Sequence, residues 1–269
     1  MLYIRKSRTP QLIKQKRDEI INTPNIGYNE IVLPEDAKKL RLIFEKMPKA
    51  EIREALCKEQ HGLCAYCMRR IVSQKENPND QEARIEHYVP LSRNKELALD
   101  YQNFLGVCHG GNKDEREKED ELITCCDVHR SNKDLTINPW DKRQMETIAY
   151  KRNGYMFVKK NMGLDSEIAD AMEKDINETL QLNGELNSDG SVKHDTTSRL
   201  VASRKRIYDS AASQLERWDK KKLLTSAYLK EKIDKLYQQF NDGQIADPFV
   251  GVRIYVLEKR YKLLLKQGR

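Results

Sequence analysis

Residues 62–70 read GLCAYCMRR, and residues 85–90 read IEHYVP. Cys64 and Cys67 have the spacing of half a tetrahedral zinc site held in a tight turn. The acidic–histidine pair Glu86-His87 follows them, with Pro90 fixing the chain beyond. The fold depends on how these two stretches are read together. They are either a zinc-stapled structural module or a zinc-stapled module built to hold a catalytic histidine. The distribution of ligand-type residues places the chemistry here. Cys57, Cys64, Cys67, Cys108, Cys125 and Cys126 are all six cysteines of the chain, and four of its five histidines, His61, His87, His109 and His129, lie among them or close after.

Composition narrows the class. The 269 residues suffice for one large domain or two small ones, and with 38% hydrophobic against 34% charged residues many helices should be half-exposed. Forty-nine basic against 42 acidic residues leave a net charge of +7, a modest excess that suits nucleic acid or an acidic partner. No 18-residue apolar run is present, so no membrane span is expected, and MLYIRKSRTP at the start lacks the apolar stretch of a signal peptide. A cytoplasmic location is expected. Thiols stay reduced there, and spaced cysteines read as metal ligands before disulfides.

The N-terminal segment, 1–56, reads as a basic, weakly ordered arm with a short helix around 10–22, followed by helices. Pro34-Glu35-Asp36 supplies a proline and first-turn acids suited to a helix start, and Leu40, Ile43 and Phe44 follow at helical spacing. A second helix runs from Pro48 to Gly62, a glycine suited to a left-handed C-cap; Cys57 within it reads as a core thiol. The metal module spans 57–140, and its run NKDEREKEDE at 112–121 reads as a solvated insertion. Residues 141–269 begin with a hairpin around Asn153-Gly154. Helices near 165–182, 196–218, 225–240 and 249–266 follow, with a flexible loop at Asp189-Gly190-Ser191. On these helices Arg199, Arg204, Lys205, Arg206, Lys220, Lys221 and Lys222 are expected on outer faces, solvated or turned to nucleic acid or a partner. The expected fold class is α+β.

The second half of the zinc site must come from Cys108, Cys125, Cys126, His109 or His129. Cys108 ends the apolar run 104–107, and Cys125 and Cys126 follow the run 122–124. The expected ligands are Cys64, Cys67, Cys108 and Cys126, because four thiolates close the site and make the zinc structural. Cys125 is the rival of Cys126, His109 a rival of Cys108, and six reduced cysteines without metal the alternative. Tyr66 is expected to pack the knuckle, His61 to sit at a helix end and His194 to be exposed.

The order Cys-x-x-Cys, Glu-His, Asn, Cys, Cys, His or Asn, and Lys resembles the HNH endonucleases, a resemblance covering about 60–140. Over nearly the whole chain MLYIRKS, LCAYCMRRI, IEHYVPLS, CHGGN and DPFVGVRIYVLEKR resemble PtuB-type HNH nucleases, subunits of Septu and retron anti-phage systems. The resemblance implies a ββα-metal core around one catalytic divalent ion, Mg²⁺ or Mn²⁺, and hydrolysis of a DNA or RNA phosphodiester. In it neutral His87 is the general base, and Glu86 with His129 or Asn132 binds the divalent ion. Asn103 holds the histidine loop through backbone hydrogen bonds, and Arg130 and Lys133 hold the phosphate. The usual pair is Asp-His, so the longer Glu86 is a departure. Implied partners are a PtuA-like ABC/SMC-type ATPase and, in a retron operon, a reverse transcriptase with its RNA-linked single-stranded DNA. No G-x-x-x-x-G-K-S/T loop occurs, so ATP use would fall to the partner. A non-catalytic zinc-binding adaptor and a standalone restriction-type HNH enzyme are the rival readings.

Overall fold

Residues 1–75, 80–111, 122–160 and 162–268 are described by the structure, a computed structural model. The insertion expected at 112–121 lies outside the described residues. Among those residues the fold mixes α and β: helices surround three separate two-stranded antiparallel sheets.

The N-terminal helices α1 (Gln11–Asn22), α2 (Ala37–Phe44) and α3 (Lys49–Glu59) form where the apolar spacing places them. Their buried stripes, Ile13 and Ile20, Leu40, Ile43 and Phe44, and Ile52 and Leu56, converge on a core shared with Leu99, Tyr101 and Phe104. The chain before α1 is not a weakly ordered arm. Met1 and Ile4 are buried in a second core, and Lys6 donates to Glu59 at 3.0 Å and to the Phe104 carbonyl at 2.7 Å. Basic composition concealed two apolar anchors.

The first sheet pairs β1 (Arg84–His87) with β2 (Phe104–Val107), in a register that sets Glu86 against Leu105 and His87 against Phe104. Successive side chains leave a strand on opposite faces, and this pair separates two cores accordingly. Ile85 and Phe104 join the N-terminal core, whereas Leu105 and Val107 join the core built on the cysteines. The short helix α4 (Cys126–Arg130) lies beyond β2 in the chain and contributes Cys126 to that second core.

The cysteine core does not end at 140. It includes Ile148, Tyr150 and Met156, Ile176 and Leu180, Leu200, and Phe249 and Val252. After α5 (Lys142–Thr147), the hairpin β3 (Ile148–Tyr150) to β4 (Met156–Val158) turns at Asn153-Gly154 as expected. The helix expected over 165–182 is α6 (Ser166–Lys174) running into a wider π turn, Asp175–Thr179. The loop at 189–191 closes a small hairpin, β5 (Glu185–Leu186) and β6 (Val192–His194), whose strands are too short to leave a period in the sequence. Three helices complete the chain: α7 (Leu200–Lys220), α8 (Ser226–Asn241) and α9 (Val250–Lys266), with α9 packed on both others. Leu229 and Ile233 of α8 meet Leu257 and Leu264 of α9.

Arg204 is a correction. It does not lie on an outer face but is buried, where Nε donates to the Gly154 carbonyl at 2.7 Å and Nη2 to the Leu182 carbonyl at 2.8 Å. It ties the hairpin turn to α7. Gly154 itself has φ +90°, and a Cβ there would lie 2.1 Å from the Val201 carbonyl oxygen. Gly154→Ala is therefore expected to cost roughly 2 to 4 kcal/mol, the sum of a strained φ and a backbone clash. A urea titration of the wild-type and variant chains measures it; an unchanged midpoint would mean that the turn and α7 are not in contact.

Candidate active site and metal centre

The knuckle is set by backbone bonds around the first cysteine pair. Cys64 N–H donates to the Arg69 carbonyl at 2.8 Å, and Met68 N–H to the Cys64 carbonyl at 3.0 Å. Gln60 fastens this turn to β2: its Nε2 donates to the carbonyls of Leu63 and Gly106, while its Oε1 accepts from Gly106 N–H at 2.7 Å. Cys108 follows directly after β2. Cys126 is brought in by a left-handed backbone (φ +58°) and by its N–H bond to the Leu180 carbonyl. A close turn permits this approach: Gly110, at φ +62°, leaves no room for a Cβ, which would lie 2.2 Å from the Cys125 carbonyl oxygen.

The result is a buried cluster of Cys64, Cys67, Cys108 and Cys126 with all four sulfurs within 4.8 Å of one another. Cys67 and Cys108 sulfurs are 3.6 Å apart, and those of Cys108 and Cys126 are 3.8 Å apart. A tetrahedron with metal–sulfur bonds of about 2.3 Å has edges of about 3.8 Å, so the donor set fits an ion such as zinc. Burial pushes the Cys67 and Cys126 thiols up, whereas thiol hydrogen bonds pull Cys108 well down. Cys125 is also buried but is not one of the four. Cys57, on α3, is outside the cluster and half-buried, its thiol pushed up to about 12 by burial.

The Glu86 face of the β1–β2 pair carries an acidic pocket. Glu86 accepts from the Tyr66 hydroxyl at 3.2 Å and from Arg130 Nη1. Arg130 is fully buried. Nη1 also donates to the His87 carbonyl at 3.1 Å, Nη2 to the Tyr88 carbonyl, and Nε to the Lys133 carbonyl at 2.8 Å. Arg130, expected to face phosphate, is thus an internal brace, and its guanidinium is already occupied. Asp127, one turn earlier on α4, presents its carboxylate to the same glutamate and to Arg84 Nη2 at 3.2 Å. Burial, then the Asp127 charge, pushes Glu86 up to about 8 against the pull of Arg130.

His129, the expected partner of Glu86, turns elsewhere. Its Nε2 donates to the Glu178 carbonyl at 3.1 Å, and its Nδ1 lies 3.4 Å from the Thr124 hydroxyl. On a helix Asp127 and Arg130 share a face, and His129 leaves it. Asn132 and Lys133 are exposed beyond the end of α4. Asp127 is the site residue that sequence reasoning missed. Its signal was the i, i+3 pairing with Arg130, visible only once α4 is known to begin at Cys126.

On the other face His87 is 8% exposed, edge-on to Phe44 at 4.6 Å and to Phe104 at 4.9 Å. Its Nε2 lies 2.9 Å from the Ala98 carbonyl. A carbonyl only accepts, so Nε2 carries the proton and Nδ1 is the basic nitrogen. Burial pushes the imidazole down to about 4 against that bond, and the charges of Arg41 and Lys49 add to the push. Asn103 spans the loop after His87: Oδ1 accepts from Val89 N–H at 2.8 Å, and Nδ2 donates to the carbonyls of Val89 and Leu97. Of the other histidines, His61 bonds the Gln244 carbonyl, His109 the Glu82 carbonyl, and His194 is exposed on β6.

No protein-family model and no curated protein matches the chain.

The two buried groups give opposite pH slopes. Between its ordinary 6.5 and about 4, folded His87 refuses a proton that the unfolded chain accepts, so its contribution is lost as pH falls through that window. Glu86, raised from 4.5 to about 8, adds stability at low pH that is lost as pH rises. The histidine is isolated by comparison with His87→Gln. The stability gap between wild type and variant is expected to narrow by about 3 kcal/mol from pH 7 to pH 4, at 1.36 kcal/mol per pKa unit. Parallel curves from urea unfolding across that range would show that His87 titrates normally.

Proposed function

We propose that the chain is a metal-dependent HNH-type endonuclease that hydrolyses phosphodiester bonds of nucleic acid, with zinc in its four-cysteine cluster as a structural staple. In the cell it would be the effector of an anti-phage complex with an ABC/SMC-type ATPase and, in a retron operon, a reverse transcriptase with its RNA-linked DNA. The observation that carries this reading is the state of His87. Its imidazole is neutral, its tautomer is fixed by the Ala98 carbonyl, and its loop is held by Asn103 beside the Glu86–Asp127 carboxyls.

A hard divalent ion would be held here by carboxylates, and its charge would draw off the proton that burial leaves on Glu86. Mg²⁺ takes one or two carboxylates and fills its remaining positions with water and phosphate oxygens. Here Glu86 and Asp127, rather than Glu86 and His129, would provide them. Such an ion supplies charge neutralisation at the phosphate and stabilisation of the departing oxygen. His87 Nδ1 accepts the proton of the attacking water, while the Ala98 carbonyl keeps the other nitrogen protonated and the ring oriented. The negative phosphate arriving beside the ring raises its basicity from the low value that burial imposes. Asn103 and Arg130 position the loop and touch no substrate.

A second reading, a non-catalytic zinc-binding module, is favoured by the near-complete burial of His87 and by the Arg130 guanidinium that already compensates Glu86.

His87→Ala separates the two. It is expected to cut nucleic acid about 10² to 10⁴ times more slowly than wild type with Mg²⁺ or Mn²⁺, at unchanged zinc content. Asp127→Asn should raise the Mg²⁺ concentration needed for half-maximal cleavage, and His129→Ala should not. Wild-type rates in His87→Ala would overturn the HNH mechanism with His87 as base, and loss of zinc from that variant would favour the adaptor.

Elemental analysis is expected to find about one zinc per chain, because a closed four-thiolate site binds it as part of folding. Cys64→Ser should lose both the metal and the cooperative unfolding transition, whereas Cys125→Ser should keep them. A stable, metal-free Cys64→Ser chain would remove zinc from the account.

A further inference from the structure

With Arg130 enclosed, the phosphate needs another holder. Lys133 is less suited to it: it lines a hollow of about 430 Å³ in which the acids Asp134, Asp175 and Glu178 outnumber the cations Lys133 and Lys174. Beyond Arg130, cations approach His87 from the N-terminal helices. Phe44 of α2 meets the His87 ring at 4.6 Å, and Lys49 Nζ sits 3.9 Å from the centroid of that phenylalanine. Arg41 is one helical turn before Phe44, exposed, and forms no ion pair among the described residues. Lys49 pairs with Glu45 at 3.0 Å, but that carboxylate is 60% exposed and its pull is screened.

We propose that Arg41 and Lys49 form a phosphate clamp that holds the backbone of a nucleic-acid strand at the rim of the N-terminal core, beside the end of β1 where His87 lies. The proposal rests on the hydrolase reading above and adds the residues by which substrate is held. Two observations carry it besides proximity. Arg41 stands one turn before Phe44 on α2, and the Lys49 ammonium packs on that same ring, so two like charges border one side chain and are relieved by a shared anion. Phe44, on whose ring the Lys49 ammonium packs, also meets the imidazole edge-on, so a phosphate held at that rim lies close to the histidine that must act on it. Backbone contacts of this kind position a strand without reading its sequence.

The test is salt-dependent binding of a fluorescein-labelled single-stranded DNA, its duplex and the matching RNA to the full chain carrying His87→Ala, so that nothing is cut. Adding Arg41→Gln and Lys49→Gln is expected to weaken binding about ten-fold or more at low salt and to reduce the slope of log Kd against log[salt] by about two, one for each lost contact. Lys49→Arg should restore the Lys49 share, and circular dichroism should show that folding is intact. Lys220→Gln with Lys221→Gln, exposed at the end of α7, removes the same charge and should change the slope little. In the enzyme with His87 intact, the double glutamine variant should lose activity on polymer, whereas the α7 pair should keep it. An unchanged salt slope in a chain whose wild type binds and cuts would overturn the clamp alone. Equal losses from the α7 pair would overturn it too, replacing a clamp with diffuse attraction. A wild type that neither binds nor cuts any of these substrates would overturn the hydrolase reading, and the clamp with it.

Discussion

A guanidinium without exposed surface sits where the cysteine knuckle, the β1–β2 pair and α4 meet. Taking Arg130 out of water is costly, and the geometry around it offsets that cost by giving it the Glu86 carboxylate, the Tyr66 hydroxyl and three backbone carbonyls. Removing either member of such a pair leaves an uncompensated buried charge, a loss of roughly 3 to 5 kcal/mol. The carbonyls it holds belong to His87, Tyr88 and Lys133. The path of the chain just after β1 is therefore fixed from inside the protein. Asn103 fixes the same segment from the other side.

Tyr66 extends this dependence to the cysteines. It lies between Cys64 and Cys67, is fully buried, and donates to Glu86 while accepting from Arg130. Burial and the adjacent Glu86 charge both push its phenol well up, so it remains a donor over the whole working pH range. A change in the knuckle therefore reaches the acidic pocket through one side chain. An ion in the four-sulfur cluster would act on the pocket by holding Tyr66 in place rather than by its charge.

Much of this was legible in the sequence, and what was not has physical causes. Cysteine spacing was sufficient for the cluster because ligand identity and separation are local properties. Four thiolates close a site with either Cys125 or Cys126, and the left-handed backbone that turns Cys126 toward the other three is not legible in the sequence. The facing of α4 was not legible. A helix of five residues has no apolar period, and preference for imidazole as a ligand pointed to His129, whereas packing turns Asp127 and Arg130 toward Glu86. Arg130 read as a phosphate holder and Arg204 as a surface cation because their partners lie far away in the chain: 44 residues for Glu86 and 50 for the Gly154 carbonyl. Charge counts carry no information on burial when the compensating acceptors are backbone carbonyls.

Strand alternation gives the acid and the histidine separate surroundings. Adjacent residues on β1 must leave on opposite faces, so Glu86 enters the polar side shared with α4 while His87 enters the aromatic side shared with α2. Each environment then acts on its own group: burial with a neighbouring carboxylate raises Glu86, and burial with neighbouring cations lowers His87. Two groups on one face would share a field and could not be driven apart in this way. His87 is the last residue of β1, so the two faces meet just beyond it, at the segment that Arg130 and Asn103 hold. In the hydrolase reading that edge is where a phosphate can touch both environments. The acids then lie on its far side and the N-terminal cations on its near side. On that reading the N-terminal helices would belong to the chemistry, although the motif residues all lie after them in the chain.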